Sequence, residues 1–259
     1  MDILRKVKNF YFNFDGEKSI LGKSCLGKPI YLFTIKKTEN PKVIFQYSIH
    51  AREYITSYLA LKHIDRFCKF GKFGTAYFLP MVNPDGVKIA LNGNPLYKAN
   101  GRGVDLNVNF DARWGTGAKN QTTKGDENYI GENPFSEKET TILRNFTLSV
   151  MPDATISYHS KGEEIYWEFY QDKEYLERDF NFANLVSRIT GYTIKSTPNS
   201  AGGYKDWCIE KLKIPALTIE VGSDELSHPI GLDNFHGIYQ KNKCVPERVT
   251  KYLWENLCN

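Results

Sequence analysis

Apolar positions along this chain fall into two periods, and the switches between them outline most of the elements. An apolar, β-branched run over 30–35 reads as a strand, preceded by a Gly-containing turn in SILGKSCLGK (19–28). KVIFQYSI (42–49) is an apolar, β-branched run and predicts a buried strand; a helical period follows over 54–70. TAYFLPMV (75–82) predicts a further strand that runs into an Asn-Pro-Asp-Gly turn at 83–86. From about 86 to 135 the chain is rich in Gly, Asn and Lys and loses its period, which predicts a long loop, and loops of that length are usually functional or disordered. PFSEKETTILRNFTL (134–148) predicts a helix, with Ser136 and Glu139 in capping-box spacing. ATISYHS (154–160) and IYWEFY (165–170) read as strands, and DFNFANLVSRITG (179–191) and GGYKDWCIEKL (202–212) as helices. PALTIEVG (215–222) is a short strand ending in a carboxylate; 232–258 is helical in pattern, with Pro246 marking a kink or a fresh start.

Strands alternate with helices along most of this order. That predicts an α/β fold, a mostly parallel central sheet with helices on both faces, and ligands at the carboxyl ends of the strands. No internal repeat, low-complexity tract or linker interrupts the chain, so a single domain over 1–259 is expected, with a short N-terminal extension over about 1–18.

Composition narrows the function classes. Net charge is +4, but basic and acidic residues are interspersed without a long Lys/Arg run, which argues against a nucleic-acid partner. The opening MDILRKVKNFYFNF carries Asp2, Arg5, Lys6 and Lys8 and no apolar core of signal-peptide length, and no stretch approaches a membrane span. A cytoplasmic protein with no membrane partner is expected. Cys25, Cys68, Cys208, Cys244 and Cys258 are odd in number and scattered, which argues against both a disulfide framework and a thiolate metal cluster.

The chemistry gathers at predicted strand ends. His50 and Glu53 stand three apart just after a buried strand, where a turn can aim an imidazole and a carboxylate at one point. Catalytic zinc takes three protein ligands of this kind and leaves a fourth position for water. His159, at the end of ATISYH, is the natural third, and Glu220 ends another strand on the same predicted edge. Of the other histidines, His63 falls in an amphipathic helix and His228 and His236 lie in or near a loop, where structural or solvated roles are expected.

SIHARE (48–53), MVNPDG (81–86), GRGVDLNVNF (101–110), SYHS (157–160), SAGGYKDW (200–207) and TIEVG (218–222) follow one another in a fixed order. That order resembles the zinc carboxypeptidases of the carboxypeptidase A family, from about residue 20 to the end. The resemblance implies an α/β/α sandwich around a mixed, mostly parallel sheet, and one Zn2+ per chain on His50, Glu53 and His159. It implies that Glu220 is the general base that takes a proton from water and passes it to the leaving amine. Asp105 would orient His50 through its other ring nitrogen, and Arg102 would polarise the scissile carbonyl. Arg52 resembles a subsite arginine that contacts substrate on the amino-terminal side of the cut.

Three departures bear on substrate. The family holds a terminal carboxylate with an Asn-Arg pair, where this chain has Asn107-Val108, and an apolar side chain cannot replace that bidentate contact. Pro198 stands where the family's mobile tyrosine is expected, leaving Tyr204, Tyr166 or Tyr170 as substitutes. At the base of the specificity pocket the aligned position is Lys205, with Tyr204 beside it; a cation there would select an acidic group, whereas a surface helix would turn it to solvent. HSKGEEIYWEF (159–169) further resembles bacterial γ-D-glutamyl-L-diamino acid endopeptidases, which cut between γ-D-glutamate and diaminopimelate. Lys205 and Glu163 or Glu164 would then address the carboxylate and ammonium of the diamino acid. The expected partner is a peptide or muropeptide. Alternatives are a metallocarboxypeptidase releasing acidic C-terminal residues and a zinc deacylase of N-acyl amino acids.

Overall fold

Parallel strands need cover on both faces, and the four central strands, which pair in parallel, are buried almost throughout. In the computed structural model, which describes residues 2–125 and 127–257, these are β3 (Lys42–Tyr47), β4 (Thr75–Leu79), β5 (Ala154–His159) and β8 (Ala216–Glu220). β1 (Lys18–Lys23) and β2 (Pro29–Lys36) add to the β4 side as an antiparallel pair. On the other side β6 (Glu164–Tyr166) runs antiparallel to β8, and β7 (Thr193–Lys195) runs parallel to β6. The eight-stranded order β1-β2-β4-β3-β5-β8-β6-β7 is the mixed α/β sheet expected.

Side-chain alternation divides the core into two layers. Val43, Phe45 and Tyr47 of β3 join Ile55 and Leu59 of α2 (Ile55–Phe70), Phe182 of α5 (Lys173–Thr190) and Val249 of α8 (Val245–Leu257). Ile44 points the other way, to Leu143 of α4 (Lys138–Val150) and Trp207 and Ile209 of α6 (Tyr204–Leu212). Each such fully buried aliphatic or aromatic side chain contributes roughly 1.5–3 kcal/mol from removal of apolar area from water.

Several elements depart from the pattern reading. Residues over 1–18 carry a helix, α1 (Ile3–Asn13), capped by Asp2, whose carboxylate accepts from the Arg5 N–H at 2.8 Å. Ile3 and Val7 are buried, and the rings of Phe10 and Phe14 meet Phe33 edge-on at 5.4 and 5.2 Å. The Asn-Pro-Asp-Gly segment opens α3 (Pro84–Leu91): the Asn83 side chain accepts from the Gly86 N–H, and Pro84 occupies the first turn, where its missing N–H costs nothing. Between α3 and α4 the described chain holds only a 3-10 turn at Leu106–Val108 and an isolated bridge from Gln121 to Tyr129.

The expected capping box of α4 is not made. Glu139 accepts from the Cys25 N–H at 2.9 Å, the Ser136 hydroxyl donates to Glu137, and the helix begins at Lys138. α5 begins at Lys173, ahead of the expected start, while β6 ends at Tyr166 rather than continuing to 170. At the C-terminal end α7 (Phe235–Asn242) stops and α8 starts afresh with Pro246 in its first turn. No helix among the described residues is long and apolar enough to cross a membrane. Cys25, Cys68, Cys208 and Cys244 are free thiols; Cys258 lies outside the described residues.

Candidate metal centre

The carboxyl ends of β3, β5 and β8 lie side by side, and the register sets His159 directly opposite Glu220. Beyond β3 the chain turns at Ser48, whose φ of 49° breaks the extended run. The Ser48 hydroxyl lies 3.0 Å from that of Thr56 and 2.7 Å from that of Ser57, and Thr56 donates to the Glu53 carbonyl at 2.8 Å. From the other side Asn83 donates to the carbonyls of Ile49 and Ala99, both at 3.0 Å. This buried polar lattice fixes the 3-10 turn Ala51–Glu53 and so aims Glu53 and His50, the residue that precedes the turn.

His50 Nδ1 lies 2.8 Å from Glu53 Oε1 and 3.2 Å from His159 Nδ1, and His159 Nδ1 lies 3.0 Å from Glu53 Oε2. All three side chains are buried, and one donor atom from each falls within 4.8 Å of the others. Two imidazole nitrogens and a carboxylate converging in this way fit the three-protein-ligand set of a zinc centre. Nε2–H of His50 donates to Asp105 Oδ1 at 3.1 Å, which leaves Nδ1 directed at the cluster.

Electrostatics follow from this crowding. Burial works to lower the pKa of His50, but the carboxylates of Glu53 and Asp105 outweigh it and raise it to about 9. A metal ligand must be deprotonated, so a cation bound in the cluster would compete with a proton on His50. Burial works to raise Glu53, yet His50 and His159 hold it well below the ordinary carboxylate range. His159 is pushed down, chiefly by burial. Glu220, half-buried at its strand end, is pushed well up by burial and then by repulsion from Glu53.

The remaining sequence-predicted residues are distributed more widely. Arg52 is tied to Glu127 at 2.9 Å and to the Leu96 carbonyl at 3.3 Å, beside the ligand turn. Arg102 stands half-exposed with its Nε 3.5 Å from Glu137. The Asn107 side chain accepts from the Tyr204 N–H at 3.2 Å, at the start of α6. Gly202, with φ of +85°, lets this segment approach closely, since a Cβ there would stand 2.7 Å from the Val108 carbonyl oxygen.

Tyr204 is fully buried with its hydroxyl 2.8 Å from Thr147, so it offers no surface to a substrate; α6 turns this position into the core. Lys205 neither faces solvent nor stands as a free cation. It is 6% exposed, with Nζ 2.6 Å from Asp206 Oδ1 and 3.0 Å from the Glu168 carbonyl. Glu163 pairs with Lys241 at 2.6 Å, and Glu164 binds the Tyr166 hydroxyl and Lys195, so both acids already have lysine partners. Tyr170 and Pro198 share the wall of a cavity of about 390 Å³ with Glu168, Phe169 and Ser196. Tyr170 also stacks under Arg113, whose guanidinium is 3.5 Å from the ring centroid.

Two residues outside the sequence-predicted set enter the picture. Lys98 Nζ lies 2.7 Å from Asp105 Oδ2; nothing in its loop position announced a buried partner. His228 is half-buried, with Nδ1 lacking a hydrogen-bond partner among the described residues, and its pKa is lowered by burial, with smaller effects from Glu53, Arg52 and His50.

Comparison with known proteins agrees with this architecture. A family model described as zinc carboxypeptidase, peptidase M14, matches residues 16–235. The chain is 29% identical to γ-D-glutamyl-L-diamino acid endopeptidase 1 of Lysinibacillus sphaericus, an alignment covering 93% of this chain and 68% of the relative. Bovine thrombin-activatable fibrinolysis inhibitor superposes with a TM-score of 0.84 at 20% identity, covering 98% of this chain and 95% of the other. The murein-tripeptide amidase MpaA of Escherichia coli O157 superposes with a TM-score of 0.65 at 21% identity, covering 91% and 92%. With a match of that extent, the chain belongs to the zinc carboxypeptidase family, M14, of metallopeptidases, and is a hydrolase of the α/β carboxypeptidase fold.

Proposed function

We propose that this chain holds one Zn2+ on His50, Glu53 and His159 and hydrolyses peptidoglycan-derived peptides at the γ-D-glutamyl-diaminopimelate bond. The observation that carries the hydrolytic part is the register: Glu220 stands opposite His159, on the sheet edge where the three donors converge. A zinc ion bound there would acidify a water molecule and polarise a carbonyl. Glu220 takes the proton from water and later delivers it to the departing amine; it must be ionised for the first step, and the charge of a bound cation would counter the burial and Glu53 repulsion that push its pKa up. Asp105 keeps the His50 ring in one orientation throughout.

The substrate part rests on three features. The HSKGEEIYW run (159–167) is the one that resembles diamino acid endopeptidases, and the similarity to such an enzyme extends over 93% of the chain. Val108 removes the usual arginine clamp for a free C-terminus, which favours a substrate held by other groups. The cavity walled by Glu168, Phe169 and Tyr170 is the candidate place for the leaving residue, without a free cation from Lys205, whose ammonium is held by Asp206.

Incubation of the zinc-loaded protein with L-Ala-γ-D-Glu-diaminopimelate and with plain peptides ending in Glu separates this reading from an acidic-residue carboxypeptidase. Release of diaminopimelate is expected, and hydrolysis confined to the plain peptides would sink the murein reading. Glu220→Gln is expected to keep one zinc per chain while kcat falls about 10²–10⁴-fold, the range of general acid-base catalysis. Undiminished turnover in that variant would place the base elsewhere.

A further inference from the structure

We propose that Lys98 is a positioning residue of the metal centre, a role that rests on the zinc reading above. It grips both segments that set the orientation of His50. Through its main chain, the Lys98 carbonyl accepts from the Ala51 N–H at 3.0 Å and so holds the start of the turn that carries Glu53. Through its side chain, Nζ lies 2.7 Å from Asp105 Oδ2 and donates to Asn128 Oδ1 at 2.6 Å. Asp105 is thereby engaged at both oxygens, Oδ2 by the ion pair with Lys98 and Oδ1 by hydrogen bonds from the His50 Nε2–H and the Asn107 N–H, the latter at 2.9 Å.

The arrangement specifies more than a salt bridge. A carboxylate held only by Oδ1 is free to swing about its Cβ–Cγ bond, and the imidazole it supports swings with it. The ammonium stops that motion from a position where it is itself almost enclosed, its side chain 17% exposed and Asp105 1%. Lys98 also has a cost for the site, since a positive charge near a divalent cation repels it. The two effects have opposite signs on metal affinity, so measurement decides between them. Positioning predicts that removing the ammonium weakens zinc binding, whereas a purely Coulombic role predicts that removal tightens it.

The experiment compares zinc affinity and the zinc dissociation rate, by competition with a chromophoric chelator, in the whole wild-type chain, Lys98→Met and Lys98→Arg. Lys98→Met is expected to bind zinc about 10-fold more weakly and to release it faster, the size typical of groups that hold metal ligands in place. Lys98→Arg, which keeps a cationic donor, is expected to recover most of that loss, a rescue that mere filling of space would not give. Should Lys98→Met not fold, Lys98→Gln carries the same comparison. Equal or tighter binding in the variant without the cation would overturn the proposal, as would failure of the Arg variant to recover affinity. A wild-type chain that takes up no zinc would instead overturn the metal reading, and this role with it.

Discussion

His63 is enclosed on every side. The Tyr47 hydroxyl donates to its Nδ1 at 2.8 Å, its Nε2–H donates to the Asn242 carbonyl at 3.0 Å, and burial drives its pKa down to about 3. The unfolded chain takes up a proton at this residue near pH 6.5, while the folded protein resists it until about pH 3. Its contribution to stability is therefore complete above pH 6.5 and is lost as pH falls through that window, at ~1.4 kcal/mol per pH unit. Urea unfolding at pH 7 and pH 5 checks this: wild type is expected to lose ~2 kcal/mol more than His63→Gln over the interval, and parallel losses would show that His63 is not the group responsible. At this scale the sequence was informative where strand ends supply the side chain. His159 ends β5, His50 and Glu53 lie in the turn just beyond β3, and the structure draws the three together. Tyr204 and Lys205 were not legible in the same way, because the roll of α6 about its own axis is set by packing against Phe110 and Thr147, and no local pattern encodes that roll.

Elements were legible in proportion to their burial. β3, β5 and β8 announce themselves as apolar runs because both faces are covered, whereas β1 and β7 are largely exposed edge strands with few apolar residues. The start of α3 could have been read from Pro84 following a capping Asn83, since that pairing marks a helix as readily as a turn. The false capping box at Ser136 and Glu139 has a clear cause: Glu139 is recruited by the Cys25 N–H from a distant turn, and a tertiary contact outbids a local one. The junction of α6 with the 3-10 turn at Leu106–Val108 yields a sharper test. Gly202→Ala puts a Cβ 2.7 Å from the Val108 carbonyl oxygen at a φ of +85°, so the variant is expected to lose ~1–3 kcal/mol of stability. Chemical denaturation measures it, and an unchanged midpoint would mean that the two segments part without cost.

At the scale of the molecule, both sheet faces are closed by helices, and α1 belongs to that closure. Ile3 is fully buried in the same cluster as Phe33 and Val249. Ile3→Ala is expected to cost ~2–4 kcal/mol with turnover per folded molecule unchanged; a drop in kcat at full folding would instead tie α1 to the site. The strand order has a consequence in time. Glu53 and His159 are 106 positions apart and meet only because β3 pairs with β5, a parallel contact that closes a very long loop. Such non-local pairings are among the slowest events of folding. A metal ion that needs both ligands can therefore serve as a clock for that step: during refolding in the presence of cobalt, visible absorption from the bound ion should rise no earlier than the far-ultraviolet signal of the sheet. Colour appearing ahead of the sheet would show that the binding cluster nucleates the fold rather than waiting for it.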